Sequence, residues 1–148
     1  MTGTLTIDSS EGQGKKLLLS DSNIICYNDN NNIYLKIDKS AISALNNDGV
    51  HIFNINLGNQ GALSTGYSSA NGICSFASGH SSVAEGDYSH AEGQDSYANG
   101  NKSHAEGNNT RAEANNTHTE GNSTTATGDS AHAEGSNTKA QGVTSHAE

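Results

Sequence analysis

Glycine recurs every seventh residue through the second half of this chain, and that spacing leaves few folds open to it. The series runs Gly72, Gly79, Gly86, Gly93, Gly100, Gly107, Gly121, Gly128, Gly135 and Gly142, with Ala114 in the one missing slot. Two residues before each slot stands an alanine, as at Ala84, Ala91, Ala98, Ala105 and Ala133, and Thr119 fills the single gap. Two residues earlier again stands Ser or Thr, with Ala131 as the exception. The unit is therefore Ser/Thr-x-Ala-x-Gly plus two linking residues. A heptad can mark a coiled coil, but here the repeating slots hold Ala and Gly rather than Leu or Ile. Glycine costs a helix about 1 kcal/mol at each occurrence. Collagen is excluded, since there is no Gly-X-Y triplet and no proline.

The links identify the alternative. They read Asp87-Tyr88, Gln94-Asp95, Asn101-Lys102, Asn108-Asn109, Asn115-Asn116, Asn122-Ser123, Asp129-Ser130 and Ser136-Asn137. Asn, Asp and Ser favour turns and tolerate left-handed backbone. Between the turns, five residues alternate small and variable side chains, which is the period of a strand. A second period lies over the first. His90, His104, His118, His132 and His146 are fourteen residues apart, and each is followed two residues later by Glu92, Glu106, Glu120, Glu134 or Glu148. The intervening strands carry Val83, Tyr97, Arg111, Thr125 and Lys139 at the matching slot. One turn of a β-solenoid is thus fourteen residues, made of two short strands in different surroundings.

This predicts a narrow roll with Ser, Ala and Gly facing inward. Gly79, Gly86, Gly93, Gly100, Gly107, Gly121, Gly128, Gly135 and Gly142 are its turn and core positions, with the alanines beside them. Coils stacked about 4.8 Å apart would make residues 68–148 a rod about 28 Å long. Composition adds a constraint. With 31% hydrophobic residues, 5% aromatic residues and no Trp, the chain lacks the material of an ordinary core. A repeat array escapes that limit by stacking, and an oligomer by sharing a core. The His-bearing strand keeps a constant outward face while the other varies. A constant environment points to the same strand of another copy, which makes His90, Glu92, His104, Glu106, His118, Glu120, His132, Glu134 and His146 the expected interchain contacts.

These repeats resemble the head repeats of trimeric autotransporter adhesins, the YadA-like family. The wording Ser89-His90-Ala91-Glu92-Gly93 and Ser103-His104-Ala105-Glu106-Gly107 is closer to the "SHAEG" repeats of phage tail-fibre and tail-spike proteins. The resemblance covers residues 68–148. It implies a homotrimer of left-handed parallel β-rolls. Residues 1–60 read as strands separated by turn clusters such as Asp29-Asn30-Asn31-Asn32, and the stretch from Tyr34 to Ile42 is similar to β-prism regions of phage fibres. The expected fold is therefore all-β: a trimeric left-handed parallel β-roll preceded by a β-prism-like N-terminal region. Its divisions are an attachment region at 1–60, a junction at 61–67 and a roll at 68–148. The roll stops in mid-repeat at Glu148, so a longer parent protein is expected.

The functional expectation follows from both lines. It is a structural, non-enzymatic fibre segment of a phage tail or tail-like particle, assembled in the cytoplasm and presenting a receptor-binding tip. Other particle proteins would join through the N-terminal region, and a host receptor is a further partner. The alternative is a cell-surface adhesin head that binds host matrix or glycans directly. A net charge of −9 argues against nucleic acid as a partner, and no apolar run is long enough for membrane insertion. Met1 to Gly14 lacks the pattern of an export signal.

The His-x-Glu ladder has three readings: an interchain polar network, a metal column with zinc or nickel on His90, Glu92, His104, Glu106, His118, Glu120, His132 and Glu134, or a catalytic surface. The first is preferred, and no cofactor is expected. Five near-identical copies on a rod do not make the unique concave site that acid–base chemistry needs. His51 and His80 lie outside the ladder as surface or turn residues. Cys26 and Cys74 are expected to be small buried residues.

Overall fold

The structure, a computed structural model of the chain, describes residues 5–8, 16–19, 23–27, 33–38, 40–46, 48, 50–57 and 61–148. Among these, every regular element is a β-strand. The N-terminal part is a meander of β1 (Leu5–Asp8), β2 (Lys16–Leu19), β3 (Asn23–Tyr27), β4 (Ile33–Asp38), β5 (Ala41–Leu45) and β6 (His51–Asn56), each antiparallel to the next. The apolar alternation does not single out β5, because the Tyr34–Ile42 stretch reads as one run. Asp38 divides it. Its Oδ1 accepts the backbone N–H of Ser40 at 2.8 Å and that of Ala41 at 2.9 Å, closing a tight turn. The asparagine cluster from Asp29 to Asn32 lies outside the described residues.

Residues 61–67, read from sequence as a junction, are mostly strand. They open β7 (Ala62–Ala70), which pairs antiparallel with β6 on one side and parallel with β8 (Phe76–Ala84) on the other. One strand thus converts the meander into the solenoid. The change of spacing is absorbed in the pairing of β7 with β8. Leu63 pairs with Phe76, thirteen residues on, whereas Ala70 pairs with Ala84, fourteen on, and the slip falls between Tyr67 and Ser69. The extra residue is on β8, where Ser81 and Ser82 face the single Ser68, whose hydroxyl donates to the carbonyls of Thr65 and Ala77.

From β8 onward the chain is a parallel β-solenoid of about six turns. One strand set is β9 (His90–Gln94), β11 (His104–Asn108), β13 (His118–Asn122), β15 (His132–Ala133) and β17 (His146–Ala147). The other is β10 (Tyr97–Ala98), β12 (Arg111–Ala112), β14 (Thr125–Ala126) and β16 (Lys139–Ala140). Within each set, residues fourteen apart pair directly, as His104 with His118 and Tyr97 with Arg111.

The core is alanine with serine and threonine. Ala77, Ala84, Ala91, Ala98, Ala105, Ala112, Ala126 and Ala133 are fully buried. Buried hydroxyls demand partners, and most find them either within their own corner or on the neighbouring coil. Ser89 and Ser103 each donate to the carbonyl three residues back at 2.6 Å, and Ser82 reaches Gly93 O, eleven residues ahead, at 3.0 Å. Two threonine hydroxyls, of Thr119 and Thr124, remain without partners.

The glycines divide into two kinds, and one kind departs from expectation. Gly79, Gly93, Gly107, Gly121 and Gly135 are exposed rather than inward-facing. They sit at corners with φ between 93 and 112°, a region that side chains rarely enter. Gly86, Gly100 and Gly128 are buried as expected, at the opposite corners. A Cβ on Gly100 would lie 1.9 Å from Ala114 O, so a side chain there would force the successive coils to shift, although Ala114 fills the equivalent slot one coil on.

Both corners use a left-handed residue at the second link position. Cys74, Ser81, Tyr88, Asp95, Lys102, Asn109, Asn116, Ser123, Ser130, Asn137 and Thr144 all have φ between 52 and 59°. Cys74 is therefore not a buried strand residue. It is exposed in a turn, because it occupies this link position, and Cys26 is half-buried on β3. In this conformation the N–H of Tyr88 donates to Ile73 O at 2.7 Å and that of Lys102 to Asp87 O at 2.8 Å. The first link residue contributes as well. Oδ1 of Asp87 accepts from Ile73 N–H at 2.9 Å, Asn115 from Asn101 at 3.0 Å and Asp129 from Asn115 at 3.1 Å. The Asx residues thus bond coil to coil, beyond their tolerance of turns.

Candidate functional site

Parallel, in-register pairing puts identical residues on top of one another, and the ladder is the consequence. His90, His104, His118, His132 and His146 share one face with the glutamates two residues on, because side chains two apart on a strand point the same way. Successive imidazole centroids are 4.5, 4.8, 4.7 and 4.8 Å apart, with interplanar angles of 6, 7, 16 and 28°. That interval is about the 4.7–4.9 Å between paired strands, so the rings stack face to face at strand pitch. Phe76 ends the stack, edge-on to His90 at 4.8 Å and 71°.

The carboxylates form a second column beside the rings. His Nε2 lies 3.4 Å from Glu Oε2 in the His90–Glu92 pair, 3.7 Å in His104–Glu106, 3.8 Å in His118–Glu120 and 3.6 Å in His132–Glu134. His146 lies between two carboxylates, 3.5 Å from Glu148 and 3.9 Å from Glu134. These side chains are roughly a third or more exposed, yet the Nε2 atoms of His90, His104, His118 and His132 are shielded from solvent and make no hydrogen bond.

The electrostatics follow from the packing. Burial, and then the neighbouring His90 and His118, hold the His104 imidazole below its ordinary pKa, against the pull of Glu92 and Glu120. Burial, and then Glu120 and Glu92, push the Glu106 carboxyl up. At neutral pH the centre of the ladder therefore carries a neutral imidazole beside crowded carboxylates.

All nine residues expected at an interchain contact lie on this one face. Their ligating atoms also gather into triads: Glu92–His104–Glu106, His118–Glu120–His132 and His132–Glu134–His146, each with its atoms within 4.8 Å of one another. His80 is elsewhere, exposed, with its Nδ1 3.2 Å from Ser81 Oγ. His51 lies on β6, and its side chain is outside the described residues. Sequence reasoning missed Phe76, although extending the fourteen-residue period one step upstream from His90 finds it. It also missed a cluster on the second strand set. The Arg111 guanidinium lies 4.5 Å from the Tyr97 ring and 3.9 Å from Glu113, and Glu113 accepts from Asn99 Nδ2 at 2.7 Å.

No family model, curated protein or solved structure matches the chain. Among the described residues, no helix is long and apolar enough to cross a membrane.

Proposed function

We propose that the chain is a structural segment of a trimeric fibre from a phage tail or tail-like particle, which carries a receptor-binding tip. Three left-handed rolls associate in parallel through the His/Glu face, and the N-terminal strands form a β-prism-like region that joins the fibre to its particle. The observation that supports this reading most is the ladder itself. One outward face repeats the same two residues over five coils, while the other changes at every coil. A face of one composition meets the same face of another copy at every level of a parallel assembly. An alanine core also buries little apolar area per coil, so association supplies burial that the single roll lacks.

The test is the mass in solution by light scattering. A value near three times the 15.3 kDa chain supports the reading, and a folded species near 15.3 kDa sinks it.

One observation favours the second reading, a surface adhesin that binds glycans. Where the meander meets the solenoid there is a cleft of about 360 Å³ lined by Asn54, Asn56, Ser64, Tyr67 and Asn71 among others. Tyr67 is 53% exposed there, and an aromatic ring among amides and hydroxyls suits a sugar. Glycan-array binding that is lost in Tyr67→Ala would favour the adhesin over the fibre.

A further inference from the structure

We propose that the His/Glu ladder is a divalent transition-metal site that takes ions of the zinc class, one at Glu92–His104–Glu106 and one at the His132 end. Each triad belongs to a single chain, so the inference stands apart from the trimer. Three features of the geometry carry it.

The His–Glu distances of 3.4 to 3.8 Å are long for the job they would otherwise do. A charge-assisted N–H···O hydrogen bond runs about 2.7–2.9 Å. The same separation matches two metal bonds of about 2.0–2.1 Å that open at about 110–130°. Each coil thus presents a nitrogen and an oxygen at the bite of one ion.

The four Nε2 atoms from His90 to His132 are shielded from solvent and without hydrogen-bond partners. An imidazole nitrogen in that state has lost water and gained nothing, a cost that a metal bond would remove. Because the rings stack in register, all of these nitrogens meet the same column of carboxylates.

The donor set selects the ion. Imidazole with carboxylate suits zinc, nickel and copper, whereas magnesium and calcium prefer oxygen alone. Three protein ligands leave an open position for water or for a further donor. The stoichiometry is set by sharing: His132 belongs to two of the three triads, so those two cannot fill together. About two ions per chain is the limit.

The experiment is equilibrium dialysis of the whole metal-stripped protein against micromolar zinc, with bound zinc measured by elemental analysis. About two zinc ions per chain should be retained and should survive a thousandfold excess of magnesium. His104→Gln and the near-isosteric Glu106→Gln should each lose one ion, His132→Gln should lose one, and His80→Gln should lose none. Far-UV circular dichroism of each variant, matched to the parent, establishes that the roll is intact, and Glu106→Gln serves should His104→Gln fail to fold. Retention of less than one ion per chain overturns the proposal. So does displacement by magnesium, or a loss in His80→Gln equal to that in His104→Gln.

Discussion

Oδ1 of Asn101 accepts the backbone N–H of Asp87, fourteen residues earlier, at 2.9 Å. The rung recurs at Asp87, Asn115 and Asp129, so one side-chain atom per coil stitches each coil to the one before it. Asn101→Ala should remove one rung and lower stability by about 0.5–1.5 kcal/mol. The next position in the series is Val143, which cannot accept and is 72% exposed. Val143→Asn should offer Asp129 N–H an acceptor and raise the melting temperature. Thermal melts followed by circular dichroism check both, and a Val143→Asn variant that melts below the parent would contradict the ladder.

Tyr88 holds φ at 59° with its side chain 60% exposed. Left-handed backbone costs an ordinary side chain about 1–2 kcal/mol, and Asn pays less because its amide bonds locally. Tyr88→Asn should therefore stabilise the roll by about 0.5–1 kcal/mol. The converse change, Asn109→Val at φ 53°, should destabilise it. Urea denaturation midpoints report the two signs.

Glycines at one repeat position differ in what they tolerate. A Cβ on Gly100 meets backbone at 1.9 Å, while one on Gly142 meets only the Ser145 side chain at 3.6 Å, an ordinary contact. Gly100→Ala should cost about 1–3 kcal/mol, as overpacking does, whereas Gly142→Ala should change stability by less than about 0.5 kcal/mol. Equal effects in the two variants would mean that the coils can part at no cost.

Ala131 breaks the Ser/Thr series and is buried to 1% exposure. In its place at other coils, Ser103 donates to Gly100 O and Thr117 to Ala114 O, both at 2.6 Å. Ala131→Ser should gain the matching bond to Gly128 O, worth about 0.5–1.5 kcal/mol if the hydroxyl fits without strain. Differential scanning calorimetry reads the gain as a higher melting temperature.

The fourteen-residue coil and the His-over-His column were legible in the sequence for one physical reason. In a parallel solenoid the sequence period is the pairing register, so counting places every rung. Strand positions such as Lys16–Leu19 were legible from apolar alternation alone. The facing of Gly93 was not, since a residue without a side chain leaves no polarity pattern, and only its φ of 104° separates it from Gly100. Cys74 misled because its neighbour Ile73 is apolar while its own slot is a turn. The triads also lay beyond sequence, because a spacing of 3.4 to 3.8 Å is a matter of side-chain torsions. Spacing could put His and Glu on one face and name them as candidate ligands, but not say which atoms gather.

The two-strand coil governs how such a protein can change in length. An in-frame insertion of fourteen residues adds one coil, lengthens the rod by about 4.8 Å and leaves every histidine in its column. An insertion of seven adds half a coil and carries all later histidines to the opposite side. Gene variation in this region is therefore quantised: relatives of different reach should differ by whole coils, with half-coil changes selected out wherever the histidine face matters.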